Sequence, residues 1–419
     1  MKNIEKQIIN ICKSSLVASK SLVDIKNIER NKILKLIARN LLRKKSYILL
    51  QNKKDIDRAK KENLPKHLID RLLLDENRIS NMCKDILNIA KLNDPLGKVI
   101  SSTVRPNGLK ISKVTVPLGL IAVIFESRPN VASDVAALCI KSGNGVVLKG
   151  GKEAKFSTEA IIKIIKDSLK ECNINHRIVT SLNDYTRKSV NILLKMDKYI
   201  DVLVPRGGKS LIENIKKNST IPVFSHLDGL CHTYIDSFAE KSMAINVTLN
   251  AKMRRTSICG ATETILCHKK VSETILPDLI DILIKKGCTV KGDSKIKKFN
   301  KNTAPVKKAD WSTEYLDSIV SIKIVNSLEE AIDHINKFSS GHTDAIITRS
   351  KVSAKVFLKS INSAIVMHNT STQFADGAEF GLGAEIGIST GKLHARGPVS
   401  VSELTTYKYI VLGKGQLRN

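Results

Sequence analysis

Of the eight cysteines in this 419-residue chain, Cys259 has the setting that covalent chemistry needs. It lies in Arg254-Arg255-Thr256-Ser257-Ile258-Cys259-Gly260, just before a predicted strand at Thr264–His268. Two arginines so close in sequence favour the thiolate, the nucleophilic form, and attract anionic substrates. The competing reading is an inert buried cysteine, a common fate of a free thiol. Cys231 is the rival because His232 adjoins it. Neighbours on a strand point to opposite faces, which argues against a Cys231–His232 dyad. No C-x-x-C pair occurs, so neither a zinc site nor thioredoxin chemistry is expected, and the reading assigns no metal.

The glycine groups are weaker signals. Arg206-Gly207-Gly208-Lys209-Ser210 ends like a phosphate-binding loop but has Leu203 where the motif requires its first glycine. Gly150-Gly151-Lys152-Glu153 lacks the hydroxyl after lysine, and Gly381-Leu382-Gly383-Ala384-Glu385-Ile386-Gly387 is out of register for a dinucleotide fingerprint. Each reads alone as a turn. Gly150-Gly151 and Gly207-Gly208, however, directly follow predicted strands, where ligands bind in open α/β sheets. His334 and His342, in AIDHINKFSSGHTDAI, fall at a helix-to-strand connection and read equally as satisfied structural histidines.

These residues need rigid elements to hold them, and the pattern supplies them. Residues 28–50 read as an amphipathic helix carrying Ile33, Leu34, Ile37, Leu41 and Leu42. From about residue 111, short β-branched runs alternate with helical stretches. These are strand 118–125, helix 131–142, strand 145–148, helix 154–170 and strand 201–205, then strand 264–268 and helix 328–338. That alternation predicts βαβ units and parallel sheets. The tail, Glu403 to Val411, reads as a strand able to pair outside its own domain.

Composition bounds the rest. Hydrophobic content of 42% predicts a folded core, and no apolar run is long enough to span a membrane. The N-terminus lacks the apolar stretch of a secretory signal, so the expected setting is the cytoplasm. With 69 Lys+Arg against 40 Asp+Glu the net charge is +29, but aromatics are only 4% and the basic residues are spread along the chain. No specific nucleic-acid partner is expected from that distribution, although anionic ligands gain in on-rate.

Four stretches resemble one family. VPLGLIAVIFESRPNVASDVAALCIKSGNGVVLKGGKEA (116–154), KMDKYIDVLVPRGGKSL (195–211), VNSLEEAIDHINKFSSGHTDAI (325–346) and GLGAEIGISTGKLHARGPVSVSELTTYKYI (381–410) are similar to the γ-glutamyl phosphate reductases of the aldehyde dehydrogenase superfamily. The resemblance implies an α/β, aldehyde-dehydrogenase-like fold. A Rossmann-like cofactor domain would take 1–104, 118–240 and 372–400, an α/β catalytic domain 241–371, and a small β oligomerisation element 105–117 and 401–419.

The same resemblance implies the chemistry. Cys259 takes the place of the family's nucleophile and Asn130 that of the amide donor to the oxyanion. Lys149 and Lys152 would meet the adenosine side of NADPH, with Gly207, Gly208 and Glu385 as further cofactor contacts. Arg128, Arg254, Arg255, His394 and Arg396 would bind the anionic substrate, L-glutamyl 5-phosphate. The implied reaction is NADPH-dependent reduction to glutamate 5-semialdehyde with release of phosphate, the second step of proline synthesis. The implied assembly is a homodimer or higher oligomer, with glutamate kinase able to hand over the acyl phosphate. Thr256, Ser257 and Gly260 depart from the family's loop, and Phe338 stands where it has His or Tyr. Two other readings remain: a hydrolytic aldehyde dehydrogenase, disfavoured because Phe224–Gly229 holds Asp228 but no glutamate base, and a scaffold that binds nucleic acid or a partner without catalysis.

Overall fold

The computed structural model describes residues 2–226 and 228–418, which fall into two compact units. The first comprises 1–225, 381–387 and 399–419; the second comprises 226–380 and 388–398. The sequence-based division placed 226–240, 372–380 and 388–398 with the first unit. In the structure these residues lie in the second, because Cys231–Ile235 forms a strand of the second unit's sheet.

The first unit is organised on four parallel strands in the order Val179–Ser181, Gly145–Gly150, Leu120–Phe125, Val202–Arg206. Leu120–Phe125 reads LIAVIF and is buried throughout, as a central parallel strand covered on both faces must be. Helices Val131–Lys141 and Lys155–Glu171 supply the crossovers. The amphipathic stretch near the N-terminus is two helices, Asn27–Arg43 and Lys45–Lys61, broken at Lys44. Ile33, Leu34, Ile37 and Leu41 face inward, whereas Leu42 is exposed.

Entry to the central strand is fixed by Gly119, at φ +131°. A Cβ there would lie 2.2 Å from Asp201 Oδ2, the atom that accepts the Leu120 N–H at 2.8 Å. Asn144 accepts the Gly119 N–H at 2.8 Å and donates to the Leu404 carbonyl at 2.8 Å, tying the tail to this corner.

The tail strand Thr405–Leu412 pairs antiparallel with Lys110–Pro117, which also pairs with Val99–Val104. The tail is a strand, as expected, but it pairs inside its own unit rather than outside it. Both outer strands of this three-stranded sheet carry exposed apolar side chains, among them Val99, Ile100, Tyr409, Val411 and Leu412.

The second unit contains a seven-stranded, all-parallel sheet. Its order is Ala304–Pro305, Thr289–Gly292, Ile319–Val325, Thr262–His268, Cys231–Ile235, Thr343–Ile347, Ile365–His368. Helices Lys241–Met253 and Lys269–Lys285 pack on one apolar cluster, and Leu328–Phe338 and Lys351–Ser360 on another. Inside this unit Lys252 donates to Glu263 at 2.6 Å, both side chains being fully buried. Burial raises the Glu263 carboxyl to about 7 in spite of Lys252.

That pair generates an asymmetric prediction. Glu263→Gln strands a buried ammonium and should cost about 3–5 kcal/mol, read as a lower urea midpoint. Lys252→Met should cost less, because the remaining carboxyl can take up a proton. Equal losses in the two variants would contradict this account.

Candidate active site

Four neighbouring strands of the second unit, Ile319–Val325, Thr262–His268, Cys231–Ile235 and Thr343–Ile347, run in one direction. The segments that lead into them therefore meet at one edge of the sheet. They bring Glu314, Cys259, His226 and His342 there, each a few residues before its strand.

Cys259, half-buried, is the centre of this group. Its sulfur and one ring nitrogen each of His226 and His342 lie within 4.8 Å of one another. The His226 Nδ1 is 2.7 Å from the Ile388 carbonyl, which makes that nitrogen the donor and leaves Nε2 for the thiol. His342 is fully buried, its Nδ1 2.9 Å from the Thr343 hydroxyl and 3.7 Å from the Cys231 sulfur, and its Nε2 has no hydrogen-bond partner. The two rings pack edge to face, centroids 5.0 Å apart.

The electrostatic outcome is a low thiol pKa. Burial alone would raise it, but the charge of His342, hydrogen bonds from His226 and His342, and the charge of His226 outweigh that and hold it well below its ordinary value. These histidines, rather than Arg254 and Arg255, account for the depression. Arg254 is exposed, with its Nε donating to Gln373 Oε1 at 2.9 Å. Together with Asn250 and Glu379 these two residues line a cleft of about 300 Å3.

Cys231 behaves in the opposite way. It is fully buried, its Sγ 3.1 Å from the Cys259 carbonyl, and burial pushes its thiol well up. His232 points elsewhere, its Nδ1 2.9 Å from Asp344, as strand alternation requires. Gly229 allows the close approach of the neighbouring segment, since a Cβ there would meet the Cys259 backbone at 2.2 Å. The Gly229 N–H donates to Glu314 at 2.9 Å, and burial raises the carboxyl of Glu314.

In the first unit, the carboxyl ends of the parallel strands gather a different set. Chain order reverses between Leu120–Phe125 and Val202–Arg206, the position where open α/β sheets leave a ligand crevice. There the Gly208 N–H donates to Glu126 at 3.0 Å, and Gly207 and Gly208 precede the helix Lys209–Asn218. Lys149 is buried, with Nζ 3.1 Å from the Gly150 carbonyl and 5.4 Å from the Tyr185 ring. Burial lowers its pKa, and Asp184, Glu153 and Glu126 only partly oppose that. Lys152 is exposed and pairs with Glu62 at 3.1 Å.

The loop after Phe125 is held by Glu153, which accepts from the Ser127 N–H at 2.6 Å with Ser127 at φ +49°. Asn130 precedes the helix Val131–Lys141 and donates through Nδ2 to Asp134 at 3.0 Å. Arg128 and Glu385 also belong to this unit, each half-buried. In the second unit, His394 is exposed, and the Arg396 fork is already engaged by the Asn362 side chain and carbonyl.

Sequence reasoning missed His226, His342 and Glu314 as neighbours of Cys259. A signal existed in that all three precede strands that pair side by side, but strand order is not written in local pattern.

The comparisons with known proteins agree with this architecture. The aldehyde dehydrogenase family model matches residues 4–294. The γ-glutamyl phosphate reductase of Rhodospirillum rubrum is 51% identical over 371 residues, 88% of this chain and 87% of that protein. The one from Petrotoga mobilis is 45% identical over 416 residues, 99% of this chain and 100% of that protein. The crystal structure of γ-glutamyl phosphate reductase from Thermotoga maritima superposes with a TM-score of 0.95 at 40% identity, covering 98% of this chain and 100% of that one. With its two parallel-sheet units and a thiol at the entry edge of one sheet, the chain belongs to the γ-glutamyl phosphate reductases of the aldehyde dehydrogenase family.

Proposed function

We propose that the chain reduces L-glutamyl 5-phosphate to L-glutamate 5-semialdehyde with release of phosphate, using NADPH, in the synthesis of proline. The observation that carries this reading is the placement of the Cys259 sulfur with one ring nitrogen each of His226 and His342, all within 4.8 Å of one another, an arrangement that favours the thiolate. It is joined by 45–51% identity to relatives bearing that name. The Cys259 thiolate attacks the acyl carbon, the C–O bond to phosphate breaks, and a thioester remains. His226 and His342 hold the thiolate before attack and again after it departs. Asn130 and a backbone amide near Cys259 serve as donors to the tetrahedral oxyanion, each such donor worth roughly 3 kcal/mol. Phosphate leaves readily, so no strong base is needed in this direction. Arg128, Arg254, Arg255, His394 and Arg396 are the candidates for meeting the substrate's anionic groups.

The first unit fits a nicotinamide dinucleotide on its own evidence. Lys149 is a buried ammonium bonded to a single carbonyl, at the end of a parallel strand next to the chain reversal. An incoming phosphate would restore the charge balance that burial opposes. Lys149 and Lys152 are proposed for the 2′-phosphate side, and Gly207, Gly208 and Glu385 for the remainder. A nicotinamide dinucleotide held by these residues would supply hydride for reduction of the thioester. Cys259 is then expelled as thiolate, leaving the semialdehyde. Glutamate kinase is the proposed source of the labile acyl phosphate, and the cytoplasm the proposed location; among the described residues no helix is long and apolar enough to cross a membrane. The exposed apolar edges of the three-stranded sheet support a homodimer.

Cys259→Ala should lower kcat by at least a thousandfold (order of magnitude), while Cys231→Ala should stay within about tenfold of the parent. The reverse pattern would overturn the assignment. Iodoacetamide should label Cys259 well below the ordinary thiol pKa of about 8.5, and His342→Ala should move the midpoint of that pH profile upward.

Lys149→Met should raise KM for NADPH about tenfold to a hundredfold while barely changing KM for NADH, since one charge-assisted contact is lost. Equal effects on both would argue against a 2′-phosphate contact. Sedimentation should give a mass near twice 46.3 kDa, with Val411→Lys shifting the protein towards monomer. A monodisperse monomer of the parent would defeat the dimer.

A further inference from the structure

We propose that His226, Cys259 and His342 form a reversible binding site for a thiophilic divalent cation, Zn2+ above all, and that the cation competes with acylation of the thiol. The expectation that the chain holds no metal site considered only short spacings between cysteines. The fold brings together three ligands from segments far apart in sequence, one before each of three neighbouring parallel strands.

The donor set is two imidazole nitrogens and one sulfur, with the three atoms within 4.8 Å of one another. A zinc ion binds sulfur at about 2.3 Å and imidazole at about 2.0–2.1 Å, so small side-chain rotations suffice to close around it. Three protein ligands with a fourth position open is the usual arrangement of an accessible zinc site.

The outer supports are present as well. The Ile388 carbonyl accepts from His226 Nδ1, and the Thr343 hydroxyl at 2.9 Å and the Cys231 sulfur at 3.7 Å adjoin His342 Nδ1, so Nε2 of each ring is the nitrogen offered as a ligand. Such partners fix tautomer and raise ligand basicity. His342 Nε2 is buried with no hydrogen-bond partner, which leaves its lone pair available. The Glu314 carboxyl stands at the same edge of the sheet, accepting from the Gly229 N–H at 2.9 Å. Hard cations such as Mg2+, which prefer six oxygen ligands, find no such set here.

Binding involves no redox change. The sulfur and the two nitrogens each give a lone pair to the cation, and any proton held between thiol and imidazole passes to solvent. While the cation is bound, the thiolate pair is committed and cannot attack an acyl carbon. That consequence for turnover rests on the reductase reading; the binding itself does not.

The test uses the full-length protein without substrate or nucleotide. Titration with Co2+ should give a near-ultraviolet thiolate-to-cobalt charge-transfer band that saturates at one equivalent per chain and is displaced by Zn2+. Zn2+ should slow iodoacetamide labelling of Cys259 at least tenfold, and Mg2+ should not. Cys259→Ser should abolish the band. His226→Asn, at a half-buried position that tolerates change, should weaken binding on the order of a hundredfold while Cys259 remains alkylatable, which shows the fold intact. Absence of the band in the parent would overturn the site. So would Zn2+ affinity unchanged in both Cys259→Ser and His226→Asn, since the cation would then sit elsewhere.

Discussion

A thiolate that is half-buried needs positive partners, and the second unit is arranged to supply them. Burial works against the charge on Cys259, and only the two imidazoles reverse the sign of the shift. Their positions are in turn consequences of sheet order. His226, Cys259 and His342 are separated by long stretches of chain, yet they lead into three strands that lie side by side. Any change in strand order would scatter them. The ligand crevice of an open parallel sheet ordinarily lies at the carboxyl ends of its strands, where helix amino termini point. Here the low-pKa thiol sits at the amino edge, where strand-entry loops rather than helix dipoles set the electrostatics.

The first unit follows the ordinary rule, and the contrast divides labour. Its strand ends present glycines and a helix amino terminus at the chain reversal, features suited to an extended anion. Lys149 is held there at the expense of its own solvation. Asp184, Glu153 and Glu126 only partly offset that cost, whereas the exposed Lys152 is paired directly with Glu62.

Much of this was legible before any coordinates. Alternating strands and helices predicted parallel sheets because β-branched runs and amphipathic stretches are local signals, and helix Leu328–Phe338 ends where the pattern says. The motif around Cys259 singled that cysteine out by resemblance. The cause of its low pKa was not legible: neighbours in sequence, Arg254 and Arg255, drew attention from neighbours in space. Gly229 was equally opaque, since its need for a missing Cβ arises only where the chain meets Cys259. The break at Lys44 and the exposure of Leu42 show the same limit on a smaller scale, because helical period continued across a joint that packing alone defines.

The pairing of Thr405–Leu412 with Lys110–Pro117 closes a far longer loop than the hairpin that Lys110–Pro117 makes with Val99–Val104. Loop closure carries an entropic cost that grows with length, though slowly. The hairpin can therefore form from local chain alone, whereas the third strand takes its place only once a distant segment has been brought in. The Asn144 contact to the Leu404 carbonyl lies one residue before that strand, so a buried polar anchor outside the sheet ladder offsets part of the cost.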